Sequence, residues 1–346
     1  MSLLKQSRFN DAFQPKGFLP RARQGMPRQV AASIAVREAQ SVNKSAYDHV
    51  LPDRMRLEMV RMNQVHSNNN SKNNIDSASS SDPPPLLFVH GSYHGAWCWE
   101  EKFMPYFAER GYDTYALSLR AQGGSERGNL QVAGTLESHA KDVASVISTL
   151  PRPPIVVGHS FGGLLVQKYL ALSHQGSVPA VAGCAFLCSV PPSGNKDIVT
   201  RIASTSIPKA LKITWAFVTK SFARSIDSCK ETFFSNDIPE EDLICYQAKL
   251  AACSPVKLLD LRTLNSQLPL TFPVDPSTAN LKIYVAGGET DLVVDPPAVE
   301  ELATFFGVKA HIFPQVAHDC MLDTRWEEVA SGFADWIEES FGSQAS

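Results

Sequence analysis

The sequence predicts an α/β fold in which a mostly parallel sheet is covered by helices on both faces. The chain has 346 residues, 44% of them hydrophobic, which is enough for a sizeable core. Short apolar strands alternate with helical patterns, which is typical of a parallel sheet with crossover helices. The strands are predicted at 86–89, 114–119, 155–157 and 183–190, and the helices near 99–110, 135–150 and 161–174.

The alternation breaks once. Between 191 and 273 the pattern becomes helical, and the sheet resumes with a strand at 281–286. We therefore predict a core built from 83–190 and 274–342. The segment 191–273 is predicted to form a helical cap inserted over the active site.

The N-terminal part is predicted to lie outside this core. Residues 1–45 carry eight basic residues against two acidic ones and no long apolar run. This composition is typical of an organellar transit peptide, and a disordered basic tail is the alternative. The segment 46–82 is predicted to contain an early strand at 55–59 and a polar, flexible loop rich in Asn and Ser.

Charge and cysteine content exclude several classes of function. A net charge of −3 gives no electrostatic footprint for nucleic acid. No apolar stretch has the length of a membrane span. The seven cysteines have no metal-ligand spacing, and their odd count fits a reduced interior in which they are small core residues. We therefore expect no metal site.

The segment 158–162 reads Gly-His-Ser-Phe-Gly, after an apolar strand and before a helical pattern. This arrangement predicts a sharp strand-to-helix turn that exposes the Ser160 hydroxyl as a nucleophile. Small residues at 158 and 162 are needed because the strand and helix backbones pass close to each other.

Partners for such a serine follow in the order acid, then histidine. Asp291 lies in the polar turn after the strand at 281–286, and it is the candidate orienting acid; Glu289 and Asp295 are weaker rivals. His318 lies in the loop after a short strand at 310–313 and is the candidate base.

An upstream loop at 90–95, His-Gly-Ser-Tyr-His-Gly, leaves the strand at 86–89. Acyl transfer places negative charge on a carbonyl oxygen, and backbone N–H groups aimed at that charge stabilise it. We predict that the amides of Ser92 and Phe161 form this oxyanion hole.

With these four motifs, the chain resembles the α/β-hydrolase superfamily over residues 85–342. The segment 88–99 resembles plant methylesterases and hydroxynitrile lyases, whereas 117–125 and 317–323 resemble lysophospholipase-like hydrolases. The lyases carry a threonine in place of Gly91 and a lysine in place of Asp319, so the lyase activity is disfavoured. Epoxide hydrolases and haloalkane dehalogenases have an aspartate at the elbow, where this chain has Ser160. Direct attack by a carboxylate on an epoxide or a halide is therefore also disfavoured.

The resemblance implies an α/β-hydrolase fold and a serine carboxylic-ester hydrolase that acts on a small apolar ester without a cofactor. His94, Trp215 and Phe217 are the candidate substrate-binding residues. A receptor that binds a small molecule without turnover, and an acyltransferase, are the alternatives. The plant-like motifs favour a plastid location, with mitochondrion or cytoplasm as alternatives. The sequence does not indicate an oligomeric state.

Overall fold

The computed structural model describes residues 44–64, 83–273, 275–276 and 281–342. In chain order the strands are β1 (Lys44–Val50), β2 (Arg56–Met62), β3 (Leu86–Val89), β4 (Thr114–Leu117), β5 (Val132–Gly134), β6 (Ile155–His159), β7 (Gly183–Leu187), β8 (Lys257–Leu259), β9 (Ile283–Gly288) and β10 (Ala310–Phe313). Eight of them form one sheet in the order β1-β2-β4-β3-β6-β7-β9-β10. β1, β2 and β4 pair antiparallel, and all the other pairs of this sheet are parallel.

The helices connect and cover these strands. They are α1 (Trp97–Glu100), α2 (Phe103–Glu109), α3 (Leu136–Ile147), α4 (Phe161–His174), α5 (Lys196–Thr205), α6 (Ile207–Thr219), α7 (Ile226–Phe233), α8 (Glu240–Ala251), α9 (Leu261–Ser266), α10 (Pro296–Phe306) and α11 (Trp326–Phe341), with a 3₁₀ turn at Ser221–Ala223. Among the described helices, none combines the length and apolar composition that a bilayer span requires.

Both faces of the sheet are buried, as the continuous apolar strands predict. Successive residues of a strand point to opposite faces, and β3 shows this clearly. Leu87 and Val89 pack in a core with α3, α4 and α10, whereas Leu86 and Phe88 pack in a second core with α2 and α11. The predicted α/β fold with helices on both faces is therefore confirmed.

The structure differs from the prediction at the N-terminal end. β1 was not predicted, and it begins at Lys44, inside the segment assigned to a leader or tail. Its residues are exposed apart from the half-buried His49, so this edge strand lacks the alternation of apolar residues that marks β2. Residues 1–43 and the polar tract at 65–82 lie outside the described residues.

Two internal differences have local causes. The helix predicted near 99–110 is divided into α1 and α2. Pro105 lies in the first turn of α2, where its missing N–H is tolerated; inside a continuous helix its ring would clash with the preceding turn. The segment 191–273 is not wholly helical, because β8 pairs in parallel with β5 of the core.

Candidate active site

Ser160 lies between β6 and α4 with a backbone φ of 53° and ψ of −126°, an uncommon conformation for a residue with a side chain. The turn is closed by the Ser160 carbonyl, which accepts hydrogen bonds from the N–H groups of Gly163 and Val190. A Cβ atom at Gly158 would lie 2.6 Å from the Cα of Gly163, and one at Gly162 would lie 2.4 Å from the His90 carbonyl oxygen. The two glycines of the motif are therefore required by backbone contacts on both sides of the serine.

The structure brings Ser160, His318 and Asp291 together in one chain of hydrogen bonds. The Nε2 atom of His318 lies 3.1 Å from the Ser160 hydroxyl, and its Nδ1 atom lies 2.8 Å from Oδ2 of Asp291. A carboxylate only accepts, so Nδ1 carries the proton and Nε2 is free to accept from the serine. All three residues are buried.

Asp291 is itself fixed by its own turn. Its Oδ1 atom accepts hydrogen bonds from the N–H groups of Val293 and Val294, at 2.7 and 2.9 Å. The two rival acids bind elsewhere. Glu289 accepts from the N–H of Gln315, and Asp295 forms a bidentate ion pair with Arg201.

The electrostatic surroundings raise the pKa of His318 above its ordinary value. Burial alone would lower it, but the charge and hydrogen bond of Asp291, together with the charge of Asp319, outweigh the burial. Burial likewise favours the neutral form of Asp319, yet the pKa of Asp319 is lowered because His94, His159 and His318 surround it. A second negative charge therefore lies beside the base.

Asp319 forms a buried pair with His94, next to the buried pair of Asp291 and His318. The Nε2 atom of His94 lies 2.9 Å from Oδ2 of Asp319, and Nδ1 of His94 lies 2.8 Å from the Ser92 carbonyl oxygen. The ring of His94 thus lies between the Asp319 carboxylate and the Ser92 carbonyl group. The His94 side chain is 1% exposed. The prediction that His94 contacts substrate is therefore corrected: its ring links the oxyanion loop to the loop of the base.

His159 completes this network. Its Nε2–H donates to the carbonyl oxygen of His318 at 2.9 Å, and its ring lies 4.8 Å from the His318 ring. Burial, and next the neighbouring His318, lower the pKa of His159 to about 3, so this ring is neutral. His159 and Asp319 were not predicted as site residues. The only signal was their adjacency in sequence to Ser160 and His318.

The oxyanion loop is held by a third histidine. The backbone N–H of Leu119 donates to Nε2 of His90, so the proton of the ring lies on Nδ1, which donates to the Gly91 carbonyl oxygen at 2.7 Å. Burial lowers the pKa of His90 to about 3. A Cβ atom at Gly91 would lie 2.7 Å from Cβ of Ser160. The loop can approach the serine this closely only because residue 91 is glycine.

The two amides predicted to form the oxyanion hole belong to the residues that directly follow the two partners of this contact, Gly91 and Ser160. Phe161 is the first residue of α4, and an N–H at that position has no acceptor within its own helix. Ser92 follows Gly91 directly, and its carbonyl group is fixed by His94. Both residues are half-buried.

The segment 191–273 contributes an aromatic wall. The ring of Phe233 lies 6.2 Å from His318 and 6.0 Å from Phe217, and Phe217 stacks on Tyr93 of the oxyanion loop. Trp215 is different: it is 65% exposed on the outer side of α6. The prediction that Trp215 lines the substrate pocket is therefore corrected, whereas Phe217 lies close to the site.

Among the described residues, two sets of buried atoms lie close enough to share a metal ion. They are His159 with His318 and Asp319, and Cys188 with Asp291 and His318, each set within 4.8 Å. His318 belongs to both sets, and its two nitrogens already face Ser160 and Asp291. An ion in either set would therefore compete with the hydrogen bonds of the triad.

Comparison with known proteins gives the same assignment of fold. Methylesterase 2 of Arabidopsis thaliana is 29% identical over 181 residues, which are 51% of this chain and 63% of the relative. Methylesterase 1 of the same plant is 32% identical over 106 residues, which are 30% of this chain and 38% of the relative. The chain thus spans less than two thirds of either relative.

A solved structure, an esterase from Exiguobacterium antarcticum, superimposes with a TM-score of 0.59. The match covers 85% of this chain and 100% of that chain at 14% identity, a likeness of fold alone. The sequence pattern of the alpha/beta hydrolase family matches residues 86–331. With the elbow, the sheet order and this match over most of its length, the chain belongs to the alpha/beta hydrolase family.

Proposed function

We propose that the protein is a serine hydrolase that cleaves a carboxylic ester of a small apolar acid through an acyl-enzyme intermediate. The observation that carries the proposal is the unbroken hydrogen-bond chain from Ser160 through His318 to Asp291. A neutral imidazole hydrogen-bonded to a serine hydroxyl, and held in one tautomer by a buried carboxylate, is the arrangement that activates a serine.

The first half-reaction follows from this geometry. His318 takes the hydroxyl proton at Nε2 while the Ser160 oxygen attacks the ester carbonyl carbon. The carbonyl oxygen becomes negative, and we expect the amides of Ser92 and Phe161 to donate to it. The C–O bond to the alcohol then breaks, and His318 returns its proton to the departing alcohol. The acyl group is left on Ser160.

The second half-reaction repeats these steps with water. His318 removes a proton from water, the hydroxide attacks the acyl carbonyl, and the acid leaves as Ser160 recovers its proton. Asp291 stays ionised throughout and stabilises the imidazolium at each stage. These steps need neither a metal nor an organic cofactor.

The aromatic wall indicates the class of substrate. Phe233 is buried beside the base, and the half-buried rings of Phe217 and Tyr93 stack on each other next to it. Flat apolar surfaces of this kind favour an aromatic or alicyclic acyl group. The relatives are named methylesterases, so methyl esters of such acids are the first compounds to test.

Repeated turnover distinguishes this proposal from a receptor on the same scaffold. The full chain is incubated with a large excess of aromatic methyl esters and of p-nitrophenyl esters, and acid and alcohol are quantified over time. We expect product to exceed the protein many times over. Release of one equivalent followed by arrest would indicate a receptor. Formation of a new ester when a second alcohol is added, without free acid, would indicate an acyltransferase.

The role of Asp319 gives a prediction on pH dependence. The base must be neutral to accept a proton, so activity falls as the pH drops below the pKa of His318. Asp319→Asn removes a negative charge that raises this pKa, so the acid limb of kcat/KM should move to lower pH. The pH profile of the ester hydrolysis measures the shift.

Glu289→Gln is the matched control for this variant. It removes a carboxylate from the neighbouring turn, where Glu289 is exposed and binds the N–H of Gln315. The control should leave the acid limb in place. An Asp319→Asn variant that loses rate equally at every pH, with the limb unmoved, would show that the Asp319 charge does not act on the base.

A further inference from the structure

Helix α6 carries apolar side chains on its inner face and also on its outer face. Ala210 and Ala216 are buried against the protein, and Phe217 contributes to the aromatic wall. The opposite face is exposed, with relative exposures of 64% for Ile207, 65% for Leu211, 65% for Trp215 and 75% for Val218. Their spacing of four, four and three residues places the four side chains in one stripe, which we call the outer stripe. A contiguous exposed apolar stripe of this length is typical of an interaction surface.

The outer stripe has a defined shape and size. A shallow depression of about 530 Å³ runs along it, lined by Pro208, Leu211, Lys212, Thr214, Trp215 and Val218. From the exposed fractions, the four stripe residues present on the order of 500 Å² of apolar surface. A stable protein dimer buries roughly 800 Å² on each partner, so this stripe is small for a self-association surface.

The charge around the stripe points to an anionic occupant. The α6 sequence contains two lysines and no acidic residue. Over 196–231, which includes α5, α6 and most of α7, there are seven basic and three acidic residues, although the whole chain has a net charge of −3. Two of the seven bind within the protein: Arg201 is paired with Asp295, and the Lys220 ammonium donates to the Ser254 carbonyl. One of the lysines, Lys212, is paired with Glu231. Beyond the helix end, Arg224 is exposed and donates to the carbonyl of Thr219.

We propose that the outer stripe of α6 docks the protein onto an anionic lipid surface. Leu211, Trp215 and Val218 enter the boundary between headgroups and acyl chains, and exposed basic residues such as Arg224 face the anionic headgroups. A lipid boundary needs no complementary shape, so a patch of this size is sufficient for reversible binding.

Because of the position of α6, docking on lipid should affect which esters reach the active site. This part of the proposal rests on the proposed ester hydrolase function. The inner side of the helix carries Phe217, which contacts Phe233 beside His318. The lipid surface and the active site therefore lie on opposite sides of one helix. An amphiphilic ester that leaves the lipid layer meets the cap first, so we expect lipid-borne esters to be the substrates that benefit from docking.

The test uses the full chain and vesicles of phosphatidylcholine, with or without phosphatidylglycerol. We expect the wild-type protein to float with the anionic vesicles and not with the neutral ones. Brominated acyl chains in the anionic vesicles should quench a part of the tryptophan fluorescence that is missing in Trp215→Phe. The double variant Leu211→Glu with Val218→Glu should lose at least about tenfold in the bound fraction.

Val50→Glu is the matched control, because Val50 is an exposed valine on the edge strand β1. It should float like the wild type, and thermal unfolding should show that the double variant remains folded, since both replaced side chains are exposed. The basic N-terminal segment is present in every variant. Flotation of the double variant at the wild-type level would therefore overturn the proposal, as would failure of the wild type to bind.

Two further outcomes separate this proposal from others. A wild-type dimer in sedimentation that the double variant abolishes, without vesicle binding, would identify the stripe as a self-association surface and overturn the lipid assignment. Ser160→Ala should float like the wild type, because docking needs no chemistry. Failure of the ester hydrolase proposal would thus leave the vesicle result standing, and the reverse also holds.

Discussion

Ser160→Ala is expected to abolish turnover of every ester that the wild-type protein hydrolyses. Alanine has no oxygen to attack the carbonyl, and the acyl-enzyme cannot form. A serine hydrolase that loses its nucleophile falls by about 10³- to 10⁶-fold in kcat. The KM should change little, because the binding surfaces are untouched. Steady-state hydrolysis of a p-nitrophenyl ester measures the effect.

Ser189→Ala is the matched control for the loss of a buried hydroxyl. Ser189 lies beside the elbow, where its hydroxyl interacts with Gln167 and with the carbonyl of Val190. It has no hydrogen bond with His318 in the described structure. The control should retain most of the activity, whereas Ser160→Ala activity within tenfold of the wild type would be incompatible with the proposed nucleophile.

Asp291→Asn should lower kcat by roughly 10³- to 10⁴-fold, with the protein still folded. An amide can donate a hydrogen bond to Nδ1 of His318, which would move the ring proton to Nε2. The ring would then present an N–H to Ser160, where an acceptor is required. The measurement is kcat for the same ester, with circular dichroism to establish that the fold is kept.

Asp295→Asn makes the same substitution four residues further along the chain. Asp295 is paired with Arg201 and not with His318, so this variant should stay close to wild-type activity. Equal losses of kcat in the two variants would show that Asp291 has no specific role in orienting His318 and that the loop only needs its carboxylates for stability. A loss confined to Asp291→Asn supports its role as the orienting acid.

The sequence was sufficient to predict the α/β fold and to place Ser160, Asp291 and His318 just after the carboxyl ends of three strands. Each of these residues follows an apolar strand, and parallel strands deliver the residues after their carboxyl ends to one edge of the sheet. Local pattern was therefore enough. Strand β1 could not be predicted in this way, because an exposed edge strand has no apolar periodicity to detect.

The pairing of His94 with Asp319 could not be predicted, because the two residues are 225 positions apart and meet only in the folded chain. The orientation of Trp215 could not be predicted either. Helix α6 has apolar residues on both its inner and its outer face, so its sequence does not distinguish the apolar face that packs inward from the exposed one. In both cases the missing information lies in tertiary contacts.

The site of covalent modification by a fluorophosphonate tests the central claim most directly. The reagent transfers its phosphonyl group to an activated serine and expels fluoride, leaving a stable adduct. The full chain is labelled and digested, and the modified peptide is sequenced by mass spectrometry. We predict one adduct, on Ser160, formed quickly in the wild type and at a greatly reduced rate in Asp291→Asn. A fully folded wild-type protein that forms no adduct, or forms it on another serine, would contradict the assignment of Ser160 as an activated nucleophile.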